Sequence, residues 1–142
     1  MDMPTTIETF AYGRDVTTAL TFDTAIETAK RLLKDEGFGV LCEIDVTATM
    51  REKLGASFRP YRILGACNPT LAHQALTAEP QIGLLLPCNL VVQEVDGKTH
   101  VSVVDANAML GVVGRADLSS VAGDANDRLG RVLERISREG VA

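Results

Sequence analysis

A cysteine followed by an asparagine occurs twice in this chain, at Cys67-Asn68 and at Cys88-Asn89. Each pair stands at the edge of an apolar run, in RILGACNPTLAHQAL (62–76) and in LLLPCNLVVQEV (84–95), and His73 follows the first pair. Thiol, amide and imidazole together suggest three chemistries. A cysteine at a helix N-terminus with a second thiol nearby suits disulfide exchange, persulfide carriage or redox sensing. In an enzyme, Cys67 would be the nucleophile and His73 or a carboxylate the base. The plainer alternative is that free cysteines fill a core as small hydrophobes, and no C-x-x-C motif opposes it. Second, Cys67, His73 and Cys88, with Glu43 or Asp105, form a sulfur–imidazole set that suits zinc or copper, although the spacing matches no recognised pattern. Third, the helix start at Asn68, with Asn89 and Arg62, offers donors to a phosphate, sulfate or carboxylate. The plainer alternative there is that both asparagines serve only as turn caps while Arg62 lies along a sheet. Glu43 and Asp45 in CEID fall on one side of a strand, where a close carboxylate pair has one pKa raised; on a solvated face the pair carries no chemistry.

The elements that must position these residues are predicted from periodicity. IETFAYGRDV (7–16) alternates as a first strand. From Phe22, apolar residues recur at helical spacing through Leu33, with Thr21 or Asp23 as N-cap and Gly37 past the end. FGVLCEIDV (38–46) follows as a strand, and Thr47 caps a short helix ending at Gly55. YRILGA is a third strand, after which Asn68 is the N-cap and Pro69 the first residue of a helix that stops before Pro80. IGLLLP and CNLVVQEV read as one long fourth strand with a bend or bulge at Pro87. Asp96-Gly97 is a two-residue hairpin signal, with THVSVVDA as the partner strand. A short helix or turn at NAMLGVVG leads to a long amphipathic helix striped by Leu118, Val121, Ala125, Leu129, Val132 and Ile136. The expected fold is α+β: a mainly antiparallel sheet of about five strands with helices packed on one face.

The hairpin fixes a register: Val92 opposite Val101, Leu90 opposite Val103, Cys88 opposite Asp105. Alternation then sends Cys88, Leu90, Val92, Val101 and Val103 to the core, with Cys88 beside an acid, and leaves His100 and Ser102 on the outer face.

YRILGACNPTLAHQAL, with GFGVLCEIDV before it and IGLLLPCNLVV after it, resembles the bacterial and archaeal family of domain of unknown function 302. The resemblance covers nearly the whole chain and is loosest in the first strand. The matching motif residues are Glu43, Asp45, Arg62, Gly65, Cys67, Asn68, Pro69, His73, Pro87, Cys88 and Asn89. It implies a small α+β domain, a homodimer, and no established activity.

Composition narrows the partners. With 142 residues, 46% hydrophobic and 23% charged, the chain reads as a single globular domain over 1–142. A net charge of −5 without a basic block argues against nucleic acid as the main partner. No apolar run approaches the ~20 residues of a membrane span, and MDMPTTIETF lacks the features of a secretory signal. The cysteines, Cys42, Cys67 and Cys88, lack paired spacing and fit free thiols in the cytoplasm. There is no Walker loop, G-x-S-x-G or H-E-x-x-H, and the residues name no cofactor. The leading expectation is a homodimeric binding module. Its pocket, lined by Cys67, Asn68, His73 and Cys88, would hold a small ligand, anion or metal. A structural dimerising subunit and a thiol enzyme are the alternatives.

Overall fold

Two positive-φ residues, Asp96 at 51° and Gly97 at 77°, turn the chain back on itself in the computed structural model, which describes residues 6–139. The strands are β1 (Glu8–Phe10), β2 (Gly13–Thr18), β3 (Gly39–Asp45), β4 (Tyr61–Cys67), β5 (Cys88–Val95) and β6 (Lys98–Val104). The helices are α1 (Phe22–Asp35), α2 (Val46–Leu54), α3 (Pro69–Ala78), α4 (Ala106–Gly111) and α5 (Ser119–Arg138). The strands form one antiparallel sheet in the order β1-β2-β6-β5-β4-β3. The hairpin register is the one its turn dictates: Val95 faces Lys98, Val92 faces Val101 and Leu90 faces Val103.

One face of the sheet is covered. Val16, Leu64, Leu90, Val92, Val101 and Val103 point into it and are almost fully buried, together with the apolar stripes of α1 and α5. The other face carries Ile44, Ile63, Val91, Tyr61 and His100 and stays partly exposed. This is the expected α+β arrangement, with helices laid on one side. No helix among the described residues is long and apolar enough to cross a membrane.

Four local expectations are corrected. The first strand divides into β1 and β2, because Phe10 pairs with Gly13 across a turn at Ala11-Tyr12 that carries no Asn-Gly or Asp-Gly signal; the sheet therefore has six strands. IGLLLP is not strand: Pro80–Leu85 coils as a 3₁₀ helix with Leu84 facing solvent, and β5 begins only at Cys88, after a cis Leu86–Pro87 peptide. A short apolar run without alternation suits either geometry, so periodicity alone does not choose. The cap of α2 is Asp45, whose Oδ1 accepts from the Ala48 N–H at 2.9 Å. Thr47 instead ties α2 to β4, donating to the Arg59 carbonyl and accepting from the Tyr61 N–H. Finally, Asp105 leaves the ladder to cap α4, accepting from the Ala108 N–H at 2.9 Å, so it does not pair across the sheet with Cys88.

The end of α1 comes close to the start of α3. Gly37 has φ of 85°, its N–H reaches the Lys34 carbonyl, and the Phe38 N–H reaches the Leu33 carbonyl. That pair of bonds is a Schellman ending, and it buries Phe38. A Cβ on Gly37 would also lie 2.9 Å from Nδ2 of Asn68. Gly37→Ala should therefore cost about 1–2 kcal/mol for the left-handed backbone alone, with the close approach adding to it. Urea unfolding checks this; an unchanged midpoint would contradict the assignment.

Candidate functional site

Asn68 begins α3 because its Oδ1 accepts the Leu71 N–H at 3.2 Å and Pro69, which has no N–H to satisfy, occupies the first helical position. That turn swings α3 away from the end of β4 and leaves a cleft of about 290 Å³ between helix and sheet. Leu71, Ala72, Ala75 and Leu76 line it from α3, and Leu86 and Pro87 from the segment before β5. Leu110, Val121 and Ala125 of α4 and α5 close its base. On the sheet side it meets Ala66, Cys67 and Cys88, with Ala66 and Cys88 paired across β4 and β5. Leu41 reaches it through an irregularity: Val40 pairs with Ala66 and Cys42 with Gly65, so Leu41 bulges out of register. Apart from the Asn68 side chain and two sulfurs, the lining side chains are apolar.

Burial governs the thiols. Cys88 is buried, and removal from water pushes its thiol up to about 11, with neighbouring Cys67 adding to the shift. Cys67 is half-buried and is also raised by desolvation. Both are therefore thiols rather than thiolates at neutral pH.

The remaining predicted site residues lie elsewhere. His73 is exposed on α3. It lies two residues, about 200°, round the helix from buried Leu71, and so is turned away from the cleft. Among the described residues no group of three or more His, Cys, Asp or Glu side chains is placed to hold a metal ion; the Cys67–His73–Cys88 set is not assembled. Asn89 alternates out to the uncovered face of the sheet and is exposed. Arg62 sits at the other end of β4, five residues or about 17 Å along the strand from Cys67.

There Arg62 meets the predicted carboxylate pair, with Nη1 2.5 Å from Glu43 Oε1 and Nη2 3.4 Å from Asp45 Oδ2. Lys30 adds a contact of 2.9 Å to Glu43 Oε2. Arg62 thus bridges the two carboxylates, while Lys30 pairs with Glu43 alone. The Lys30 bond above all, opposed by burial and aided by Arg62, holds Glu43 below its ordinary pKa. A depressed carboxylate stabilises the fold above its unfolded pKa and ceases to do so as pH falls through the folded one. Glu43→Gln should accordingly be less stable than the wild type at pH 7, with the gap closing in acid. Unfolding curves at the two pH values read this directly.

On the uncovered face, His100 Nδ1 lies 2.8 Å from Asp15 Oδ2, and Ser102 Oγ donates to Asp15 Oδ1 at 2.6 Å. Sequence reasoning placed His100 on this face but missed the acid across the β2–β6 pair. It also missed Phe38, Leu41, Val121 and Ala125 as cleft residues. The Gly37-Phe38 helix ending and the small residues on the α5 stripe were the available signals.

The family described as domain of unknown function DUF302 matches residues 14–136. The chain is also similar to a solved structure described as the crystal structure of an uncharacterized conserved protein DUF302 from Bacillus stearothermophilus. The two share 34% identity over 87% of this chain and 97% of that one, with a TM-score of 0.82. No curated protein matches.

Proposed function

The chain belongs to the family of domain of unknown function DUF302, and for this member we propose a binding module whose cleft between α3 and the sheet takes up a small, largely apolar molecule. One observation carries the reading. The cleft is bounded by apolar side chains, two protonated thiols and the Asn68 side chain, yet it opens to water past Leu41 and Leu76, which are 69% and 42% exposed. Ligand pockets have this character, with mostly apolar walls and a few placed polar groups. The geometry favours this reading over thiol catalysis, because burial raises both sulfurs and His73 lies outside the cleft. It also favours it over a bound metal or an anion held by Arg62 and Asn89.

Binding to the folded state alone raises the melting temperature. A thermal-shift titration with 1-octanol should show a concentration-dependent rise, and mass spectrometry of the isolated protein should find a co-purifying apolar molecule. No shift up to the solubility limit of the alcohol overturns the reading.

We propose a homodimer as part of the same reading, with a second copy against the uncovered sheet face, where Phe10 and Ile44 are 40% and 46% exposed. Sedimentation equilibrium distinguishes a species of twice the chain mass from a monomer. A monomer at all concentrations removes this element. Free thiols suit the cytoplasm, and disulfide-linked protein recovered under thiol trapping would count against that compartment.

A further inference from the structure

We infer that the molecule taken up is a small amphiphile with a carboxylate head, its tail in the apolar cleft and its head in an adjoining polar hollow at the start of α3; this rests on the binding-module reading. The hollow, about 500 Å³, lies between α3 and the first turns of α5 and is lined by Asn68, Thr70, Gln74, Ser120, Asp124 and Arg128, with Gly37 at its edge. Asn68 and Leu71 line both spaces, so the two adjoin along one wall.

Asn68 is the central residue. It is 9% exposed, and its Oδ1 is committed to capping α3. Its amide nitrogen has no protein acceptor among the described residues. Nδ2 lies 2.9 Å from where a Cβ on Gly37 would stand, and Gly37 lines the hollow but not the cleft, so the amide nitrogen stands on the hollow's side of Asn68. Solvent reaches this nitrogen, since it is not among the enclosed polar atoms that lack a partner, and a bound acceptor would take the place of water on it.

The first turn of α3 points the same way. Pro69 has no N–H, that of Leu71 goes to Asn68 Oδ1, and that of Ala72 goes to the Asn68 carbonyl. Thr70 alone keeps a free N–H there, at the positive end of the helix. The one cation in the hollow, Arg128, donates through Nε to Asp124 at 2.7 Å and through Nη1 to the Glu36 carbonyl at 3.0 Å. Arg128 and Asp124 thus balance in charge, and the helix end leaves a modest net preference for an anion. Converging donors with that balance suit a singly charged carboxylate better than a dianionic phosphate, which would meet Asp124 with twice the repulsion.

Calorimetric titrations of the full chain with octanoate, 1-octanol and inorganic phosphate test this. Octanoate should bind at least about tenfold more tightly than 1-octanol, since hydrogen bonds to a charged acceptor are the stronger ones, and phosphate should not bind measurably. Asn68→Asp keeps a good N-cap but replaces the free donor with a negative oxygen. It should weaken octanoate by about tenfold or more while leaving 1-octanol within about twofold. Ser120→Asp serves if that variant folds poorly: it places a carboxylate on the hollow's exposed wall, in the first turn of α5 where an acid is tolerated, and predicts the same selective loss. Octanoate no tighter than 1-octanol overturns the head assignment and leaves the cleft reading standing. So does phosphate binding as well as octanoate, or variants that weaken both tails equally. If neither eight-carbon compound binds, the cleft reading falls and this inference with it.

Discussion

Replacing Ala72 with tryptophan should abolish the stabilisation by 1-octanol while the unliganded protein still unfolds cooperatively near the wild-type temperature. Ala72 faces the cleft from α3 but is only partly buried, so an indole there has somewhere to go. Its neighbour Ala75 is 2% exposed and belongs to the core; enlarging it would overpack the interior at a cost of about 1–3 kcal/mol and confuse loss of binding with loss of fold. The indole of Ala72→Trp instead takes space from a cleft of about 290 Å³. A thermal-shift titration reads the result. A variant that responds to the alcohol as the wild type does would place the binding elsewhere.

The second large effect is a loss of stability in alkali that depends on one sulfur. With the Cys88 thiol pushed up to about 11 by burial, the folded protein keeps a proton that the unfolded chain gives up near the ordinary thiol value of about 8.5. The group therefore favours folding fully below that value, and its contribution declines as pH rises through the window between the two. Roughly 2.5 pH units correspond to about 3 kcal/mol. Urea unfolding of wild type and Cys88→Ala between pH 8 and pH 11 isolates this contribution, because other alkaline titrations are common to both proteins. The wild type should lose about 3 kcal/mol more than the variant across that window. Equal slopes would mean that the Cys88 sulfur is not desolvated, and the closed inner end of the cleft would be in doubt.

Much of the architecture was legible because local signals agreed with the global fold. Asp96-Gly97 specified both strands of a hairpin and, through alternation, sent Cys88 inward. The stripes from Phe22 and from Leu118 marked the two helices that cover the sheet. IGLLLP was illegible for a definite reason: a continuous apolar run has no period, and Pro80 at its head suits a 3₁₀ turn as well as a strand. The approach of Cys67 to Cys88 comes from the pairing of β4 with β5, a strand order that no local signal specifies. The exclusion of His73 required the phase of α3, which Leu71 and Ala75 already marked by burying the other side. Arg62, Glu43 and Asp45 looked like site residues because their types suit chemistry. Their place on β3 and β4, beside Lys30, gathers them into an ion-pair cluster away from the cleft. The hollow beyond Asn68 could not be read from sequence at all, since Gly37, Gln74 and Arg128 belong to three separate elements or turns.

Everything proposed about ligands depends on a water-accessible apolar space where α3 leaves the sheet. Amide spectra of isotope-labelled protein titrated with 1-octanol test this residue by residue. Saturable shifts are expected at Phe38, Ala66, Cys67, Leu71 and Cys88, which surround that space. Shifts confined to Asn89, Val91 and Ser102 on the uncovered face, or none at all, would contradict it.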